Sequence, residues 1–271
     1  MASRATVAVV VPCYNSEKTL ARALDSVFAQ TRAADEVHVV ENGSSDRTKN
    51  LLEGYKAKHP EKLRIHALEK NVGPSAARNI GWNKAQTDYV AFLDSDDSWH
   101  PEKLSVQMNY LEKNPDVSIC GHDHEGPGDR FQRDLPANFG VSRFSAKSFL
   151  WRNPMITPSV IVRRSIPLRF PEDRTRMEDQ WLWFQISHAY GPTHFLHVKI
   201  AQIHKPILGF SGLSGSLWGM RRGELQNFAD LKQEGKISNL DWLLLSLYSL
   251  SKHAFRVLTI PLRRLSQPFG N

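Results

Sequence analysis

Apolar runs and amphipathic segments alternate along the first 120 residues of the chain. The apolar runs predict strands at 6–12, 36–41, 63–69, 88–94 and 117–121. The segments between them place apolar residues at helical spacing and predict helices at 16–30, 45–59, 74–86 and 100–114. Strands that are apolar throughout are buried on both faces, so we expect an α/β fold with an open, mostly parallel sheet flanked by helices.

The pattern changes between residues 121 and 145, where apolar periodicity is lost and glycine, proline and charged residues accumulate. We expect a loop or lid in this segment. Regular patterns return in a helix at 178–190 and a strand near 193–200, and the last third of the chain is helical again. The pattern therefore predicts a main domain at 1–210 and a helical C-terminal extension at 211–271.

The composition indicates a globular chain with a substantial core, since 41% of its 271 residues are apolar and seven are tryptophan. A formal net charge of +7 favours anionic partners, namely phosphates, nucleic acid or anionic lipid, without choosing among them. Cys13 and Cys120 lack the spacing of zinc or redox sites, so we expect two reduced, buried thiols in a cytoplasmic protein. The N-terminal apolar run is too short for a signal peptide, and no stretch reaches the roughly 18 apolar residues that a membrane span needs.

Polar side chains follow the predicted strands at the points where the strands end. Ligands of open parallel sheets bind at the carboxyl ends of the strands, so these residues are the candidates for a site. They are Pro12, Tyr14 and Asn15 after the first strand, Glu41 and Asn42 after the second, Arg78 beyond the third, and Asp94, Asp96 and Asp97 after the fourth. One edge of the sheet is therefore expected to carry an aromatic ring, hydrogen-bond acceptors, an arginine and a carboxylate cluster.

The residues at this edge of the sheet could bind a nucleotide. The chain nevertheless has neither G-x-G-x-x-G after its first strand nor a Walker loop. Tyr14 can stack on a base, and Glu41 or Asn42 can accept a hydrogen bond from that base. Arg78 can hold a diphosphate with its guanidinium group.

The aspartates at the end of the fourth strand crowd into four residues, and like charges 4 Å apart repel by about 1 kcal/mol in water. A bound Mg²⁺ or Mn²⁺ would remove that repulsion, since such ions are held by one or two carboxylates together with substrate phosphates. The alternative is that Asp96, Asp97 and Ser98 are turn residues that cap the helix beginning near Pro101.

Four segments, in order along the chain, resemble family 2 glycosyltransferases. They are VVVPCYNSEKTLARALDSVFAQT, VVENGSSDRT, NVGPSAARNIGWNKAQTDYVAFLDSDD and MEDQWLWF. The resemblance is dense over about the first 100 residues and resumes around 178–204. It implies a GT-A type fold with a nucleotide-binding half at 1–120 and an acceptor half at 121–210. It also implies inverting transfer of a sugar from a nucleotide donor.

The resemblance implies roles for the residues at the strand ends. PCYN matches the family's base-binding turn, which assigns donor contacts to Pro12, Tyr14 and Asn15. Glu41 and Asn42 stand where the family usually has two aspartates, and both can still accept a hydrogen bond from the base.

Further matches concern the diphosphate and the metal. Arg78 matches the arginine that faces the diphosphate, and Asp94 is a further donor contact. DSDD matches the metal-binding D-x-D region, so Asp96 and Asp97 are expected to hold Mn²⁺ or Mg²⁺. His204 falls where many family members carry a histidine that ligates the metal or touches the diphosphate. A strand-end histidine without a ligand is the alternative.

MEDQWLWF matches the acidic pair that precedes the acceptor-side helix, with Asp179 as the general base and Glu178 beside it. Such a base takes the proton from the acceptor hydroxyl as that oxygen attacks the sugar. The alternative is an acidic first helical turn, which the helix dipole favours.

These assignments predict a metal-dependent glycosyltransferase that moves a sugar from a nucleoside-diphosphate sugar, UDP-linked, to a hydroxyl of a glycan or lipid-linked acceptor. Bacterial surface polysaccharide synthesis is the role that the resemblance implies. We expect a cytoplasmic protein that contacts the inner face of the membrane through the apolar and basic segment 240–265, and no nucleic acid partner. The alternatives are a sugar nucleotidyltransferase and a non-catalytic sugar-nucleotide or membrane-binding module of the same fold.

Overall fold

The computed structural model describes residues 4–132, 134–174, 176–205 and 216–266. The chain divides into two compact units. The first comprises Met1–Asp173 and Asp179–Lys205, and the second comprises Arg174–Glu178 and Pro206–Asn271. Around the predicted boundary at residue 210, the stretch 206–215 lies outside the described residues, as do the terminal residues 267–271 of the predicted extension.

The secondary structure follows the predicted alternation. The strands are β1 (Val7–Cys13), β2 (Glu36–Glu41), β3 (Leu63–Ala67), β4 (Tyr89–Phe92), β5 (Ser98–Trp99), β6 (Ile119–Glu125), β7 (Val141–Phe144), β8 (Ile161–Arg163) and β9 (Thr193–Gln202). The helices are α1 (Leu20–Phe28), α2 (Thr48–Lys58), α3 (Pro74–Lys84), α4 (Lys103–Lys113), α5 (Ala146–Trp151), α6 (Glu178–Tyr190), α7 (Leu217–Gln233) and α8 (Asn239–Ser266). Within the described residues the strands form one sheet in the order β3-β2-β1-β4-β8-β6-β9-β5, and β7 pairs with β9.

The first four strands form the parallel half of this sheet, as the apolar pattern predicts. β1 pairs in parallel with β2 and β4, and β2 pairs in parallel with β3. β8 is antiparallel to β4 and β6, whereas β6 and β9 are parallel. The chain runs outward from β1 to β3 and then returns to β4 on the other side of β1, so the strand order reverses between β1 and β4. Such a reversal opens a crevice at the carboxyl ends of the strands, where ligands bind.

β1 is buried on both faces, which explains its uninterrupted apolar sequence. Because alternate residues point to opposite faces, Val9 belongs to one hydrophobic cluster with Leu24 of α1, and Val10 belongs to a second cluster with Trp82 of α3. Helix α3 can approach the strand closely because residue 81 is glycine. A Cβ atom on Gly81 would lie 2.5 Å from Cγ1 of Val10. Each buried aliphatic side chain contributes about 1.5–3 kcal/mol to stability, so these two layers hold β1 and the crevice beside it in place.

The prediction of a loop or lid at 121–145 is wrong at both ends of the segment. β6 extends to Glu125, and β7 runs along β9 from Val141 to Phe144. The end of β6 contains His122 and His124, so its sequence lacks the apolar pattern of a strand. Its backbone is nevertheless paired with β9, where Glu125 lies opposite Gln202. Tertiary pairing therefore outweighs a weak local pattern here.

Helix α1 begins later than predicted, at Leu20 and not at residue 16. Residues 16–19 form a turn in which the Ser16 carbonyl oxygen accepts hydrogen bonds from the amides of Thr19 and Leu20, at 3.0 and 2.9 Å. The Ser16 hydroxyl lies 2.8 Å from the hydroxyl of Ser95. This turn therefore links the end of β1 to the end of β4, across the crevice.

The second unit contains α7 and α8, which meet around a buried carboxylate. Glu224 of α7 accepts a hydrogen bond from Arg221 at 2.8 Å. It also accepts hydrogen bonds from Ser249 and Lys252 of α8, at 2.7 and 3.0 Å. Removing one partner of a buried charge is costly, so these contacts fix which face of α8 lies against α7.

The other face of α8 carries exposed apolar side chains. They are Leu240, Leu243, Leu244, Leu247, Tyr248, Leu250 and Phe255. Among the residues that the structure describes, no helix combines the length and the apolar character that crossing a bilayer requires.

Candidate active site

Tyr14 projects from the carboxyl end of β1, and its side chain is 47% exposed. The next residue, Asn15, has a φ of +48°, which turns the chain sharply. Its amide donates to the Ser44 hydroxyl at 3.0 Å, and its side-chain oxygen accepts from the Ser45 amide at 2.9 Å. Pro12, in the strand itself, is half-buried and lies opposite Val40 of β2. The turn thus presents an accessible aromatic face on a fixed backbone.

Glu41 and Asn42, at the end of β2, are both buried. A Glu41 carboxylate oxygen accepts a hydrogen bond from the Ser44 amide at 2.6 Å. The Asn42 side chain donates to Asn71 at 3.0 Å and accepts from the Val72 amide at 2.9 Å. In this structure both side chains hold the loops that follow β2 and β3. The predicted contact between these two residues and the base stays a prediction.

The carboxylates of the aspartate cluster have three different environments. Asp94 accepts a hydrogen bond from the Arg78 guanidinium at 2.7 Å, and Asp96 forms an ion pair with Lys205 at 3.0 Å. Asp97 is only 6% exposed and accepts a hydrogen bond from the His204 amide at 3.3 Å. Two of the three carboxylates therefore have a cationic side chain beside them, and the third faces the interior.

Asp97 and Asp96 do not cap the following helix. Helix α4 begins at Lys103, and the residue before it, Glu102, makes no side-chain capping bond. The Asp97 amide instead donates to the Asp94 carbonyl oxygen at 3.1 Å, which closes a turn directly after β4. The capping alternative is therefore wrong, and the reason is that the short strand β5 lies between the aspartates and the helix.

Burial, together with the negative charges of Asp94 and Asp96, raises the pKa of Asp97 to about 8. Near neutral pH this carboxyl group consequently holds a proton for much of the time. A divalent cation beside the cluster would favour the ionised form, because it supplies the positive charge that the site lacks.

The cluster suits a hard divalent cation, because its donors are carboxylate oxygens. The described residues contain no group of three or more His, Cys, Asp or Glu side chains arranged to hold a metal by themselves. Mg²⁺ and Mn²⁺ at phosphate-transfer sites take one or two carboxylates and complete their shell with water and substrate phosphates. Asp96 and Asp97 fit that smaller requirement, with a diphosphate supplying the remaining oxygens.

His204 lies beside the aspartates because β9 pairs with the short strand β5. Gln202 is the partner of Ser98 in this antiparallel pair, so the residues after β9 run past the residues before β5. The His204 Nε2 atom lies 2.8 Å from the Ser98 hydroxyl. Burial and the nearby charge of Arg22 lower the pKa of His204. A neutral imidazole is the form that ligates metals.

Arg78, on α3, is buried against an aromatic residue. Its guanidinium lies 5.3 Å from the centroid of the Phe170 ring. Asn79 holds the backbone of Phe170, since its side chain donates to the Phe170 carbonyl at 2.8 Å and accepts from the Phe170 amide at 2.9 Å. Phe170 in turn contacts Trp183 of α6, with 5.5 Å between ring centroids.

Asp179 is the second residue of α6, one helical turn before Trp183, and is half-buried. One of its carboxylate oxygens accepts a hydrogen bond from the Gln180 amide at 2.7 Å. The Gln180 side chain donates to the Phe149 carbonyl at 3.0 Å, which ties the start of the helix to α5. Trp183 therefore brings the first turn of α6 towards the ring on which Arg78 lies. Glu178 begins the helix and belongs to the second unit.

The structure adds residues that the sequence did not single out. Arg22 of α1 donates to the Asp96 carbonyl at 2.6 Å, and Lys205 pairs with the Asp96 carboxylate. Ser16 and Ser95 link the two strand ends. Lys205 directly follows His204, so sequence adjacency was an available signal for that residue. Arg22 has no comparable signal, because it lies on a helix whose apolar pattern says nothing about its polar face.

Comparison with known proteins gives a consistent result. The family described as "Glycosyl transferase family 2" matches residues 8–202. A Bacillus subtilis strain 168 protein whose name assigns it to teichuronic acid biosynthesis, glycosyltransferase TuaG, is 36% identical over 117 residues. That alignment covers 43% of this chain and 46% of TuaG.

Two solved structures share the fold. The mannosyltransferase PcManGT from Pyrobaculum calidifontis, in complex with GDP-Man and Mn²⁺, has a TM-score of 0.69 at 19% identity, covering 99% of this chain and 77% of that one. S. aureus TarS 1–349, in complex with UDP-GlcNAc, has a TM-score of 0.67 at 21% identity, covering 92% and 72% of the two chains. These two likenesses confirm the predicted fold class, a GT-A type open and mostly parallel sheet flanked by helices. Since the family match runs from β1 to the last residue of β9, this chain belongs to glycosyl transferase family 2.

Proposed function

We propose that this chain is a metal-dependent, inverting glycosyltransferase that uses a nucleoside-diphosphate sugar, UDP-linked, as its donor. The observation that carries the proposal is the aspartate cluster at the end of β4, beside the reversal of strand order. There Arg78 pairs with Asp94, and Asp96 and Asp97 offer carboxylate oxygens. A diphosphate group matches both features, because it binds to a guanidinium and shares a divalent cation with carboxylates.

The base side of the donor would lie at the end of β1. The exposed ring of Tyr14 can stack on a nucleobase, and the fixed turn at Asn15 keeps that ring in position. Pro12 supplies a rigid apolar contact beside it. Glu41 and Asn42 stand at the end of the neighbouring strand β2, and the acceptor capacity that their side chains retain is what they can offer a base.

Transfer then requires one carboxylate on the acceptor side. In the proposed reaction the acceptor oxygen bonds to the anomeric carbon as the bond from that carbon to the diphosphate oxygen breaks, which inverts the configuration. The electron pair leaves with the diphosphate, and the proton of the acceptor hydroxyl passes to the Asp179 carboxylate. Glu178 lies beside the base and adds negative charge to the first turn of α6.

The leaving diphosphate must be stabilised, because it departs with an additional negative charge. Arg78 is suited to this role, since it is buried, held over Phe170 and paired with Asp94. When bound at Asp96 and Asp97, with His204 nearby, Mn²⁺ or Mg²⁺ supplies further positive charge to the same group.

The proposal is tested by incubating the protein with a panel of nucleoside-diphosphate sugars and measuring release of the nucleoside diphosphate, with and without Mn²⁺. We expect at least one UDP-sugar to bind and to release UDP in a Mn²⁺-dependent reaction that a glycan or lipid-linked acceptor accelerates. Failure of every nucleotide sugar to bind would contradict the proposal. Binding without turnover, with any acceptor, would favour a non-catalytic sugar-nucleotide module.

We further propose that the acceptor is a glycan or a lipid-linked glycan of a bacterial surface polysaccharide. The name of TuaG, which refers to teichuronic acid biosynthesis, supports this role. The exposed leucines of α8 support a contact between segment 240–265 and the inner face of the cytoplasmic membrane. In the sequence, Arg256, Arg263 and Arg264 follow these leucines, and basic residues favour anionic headgroups.

Replacing Leu243 and Leu247 together by aspartate is expected to reduce membrane binding at least about tenfold, because both leucines are about half exposed and would lose apolar burial in the interface. The measurement is flotation with vesicles that contain anionic phospholipid. Val141→Asp is the matched control, since Val141 is an exposed apolar residue of β7 in the first unit. Equal flotation of the double variant and the unchanged protein would argue against the contact.

A further inference from the structure

Two basic side chains pair with the aspartate cluster, and they differ in how firmly they are held. Arg78 is buried and lies over the Phe170 ring while it binds Asp94. The Lys205 side chain is 55% exposed, and its ammonium lies 3.0 Å from an Asp96 carboxylate oxygen. No packing of the Lys205 side chain comparable to the Arg78–Phe170 contact is seen in the described part of the chain. Lys205 is therefore the more easily displaced of the two.

The position of Lys205 follows from strand pairing. β9 ends at Gln202 opposite Ser98 of β5, and the two strands are antiparallel. The residues that leave β9 consequently pass the residues that precede β5, where the aspartates lie. The His204 amide already binds Asp97, so the next residue is carried to Asp96. The pairing of β9 with β5 thus brings Lys205 beside Asp96.

Lys205 and a divalent cation would both bind to the carboxylate oxygens of Asp96. Mg²⁺ and Mn²⁺ bind oxygen at about 2.0–2.2 Å. An ammonium that stays within hydrogen-bond distance of that carboxylate would lie only a few ångströms from the ion, and two positive charges at such a distance repel strongly. One of them must move away, and the exposed lysine is the one that can.

We propose that Lys205 is an internal counter-ion that competes with the metal for Asp96 and is displaced when the metal binds. The inference rests on the proposed metal-dependent function. In the absence of donor, Lys205 occupies Asp96 and keeps the affinity for free metal low. A donor diphosphate adds negative charge and further oxygen ligands, which shifts the competition towards the metal. Lys205 thereby makes metal binding depend on the donor.

The test is Lys205→Met, with free Mn²⁺ measured by its electron paramagnetic resonance signal in titrations without donor. We expect the variant to bind Mn²⁺ about three- to tenfold more tightly than the unchanged protein, because an exposed ion pair no longer opposes the metal. Lys205→Arg keeps the charge and should bind Mn²⁺ like the unchanged protein. Adding UDP should narrow the difference between Lys205→Met and the unchanged protein.

Lys199→Met is a matched control on β9, the strand that precedes Lys205. The Lys199 side chain is also 55% exposed and forms an ion pair of 3.0 Å, but with Glu125. We expect Lys199→Met to bind Mn²⁺ as tightly as the unchanged protein does. Because both variants lose one positive charge, a difference between them would show that Lys205 acts as a specific competitor and not through the net charge.

Equal Mn²⁺ affinity of Lys205→Met and the unchanged protein would overturn the inference. So would a complete lack of Mn²⁺ binding in every variant, with or without UDP, since there would then be no metal at Asp96 for the lysine to compete with. Binding of nucleotide sugar, measured by calorimetry on the same samples, separates these results from a failure of the proposed function. If the donor binds and only the Lys205 comparison fails, the glycosyltransferase proposal stands.

Discussion

Asp179→Asn is expected to lower the rate of sugar transfer by about 10²–10⁴-fold, the range that a positioned general base contributes. Asparagine has nearly the same shape and can still accept a hydrogen bond from the Gln180 amide, as Asp179 does at 2.7 Å. It has no carboxylate to take the proton of the acceptor hydroxyl. The first turn of α6 and the donor site should therefore persist, and the donor dissociation constant should stay within about twofold of the original.

The measurement combines initial rates of nucleoside diphosphate release with calorimetry of donor binding. Glu178→Gln is informative because it changes the neighbouring acid in the same turn, and we expect a smaller loss of rate from it. Asp116→Asn serves as the control, since Asp116 is an exposed acid in the turn before β6. Transfer that survives Asp179→Asn with little change would remove Asp179 as the base.

Asp96→Ala is expected to abolish the gain in donor affinity that Mn²⁺ provides, and to weaken donor binding in saturating Mn²⁺ on the order of 30-fold. Asp94 is held by Arg78, and Asp97 is buried with a pKa of about 8. Asp96 is therefore the carboxylate of the cluster that is both accessible, with its side chain 34% exposed, and paired with a displaceable partner, Lys205. Removing it should leave a metal site with too few protein oxygens.

The measurement is calorimetric titration of the donor with Mn²⁺ and with a chelator. Asp94→Asn and Asp97→Asn allow the three aspartates to be ranked, and we expect both to retain part of the Mn²⁺ effect. Thermal unfolding of each variant identifies a purely structural loss. If Asp96→Ala lowers the melting temperature but leaves the Mn²⁺ effect on donor binding intact, Asp96 is a turn residue and not a metal ligand.

The alternation of apolar runs and helical patterns was enough to predict the first half of the fold. β2, β3 and β4 lie within the predicted strands, and β1 runs one residue past its predicted end, to Cys13. The parallel pairing of these four strands agrees with their apolar sequences. The family and the GT-A fold class were also predicted correctly from the motifs. The prediction ended the fifth strand at residue 121 and missed the polar end of β6, which is a strand as far as Glu125 because β9 pairs with it.

The sequence by itself determined which residues stand at the strand ends, because strand position and residue identity are both local properties. It did not determine what those side chains contact. Glu41 turns inward to bind the Ser44 amide, and His204 meets Asp97 although the two are 107 residues apart in the chain. Only the tertiary structure placed Lys205 on Asp96, because that ion pair depends on the antiparallel register of β5 and β9. Contacts between distant segments arise from strand pairing, and a one-dimensional pattern carries little information about which strands will pair.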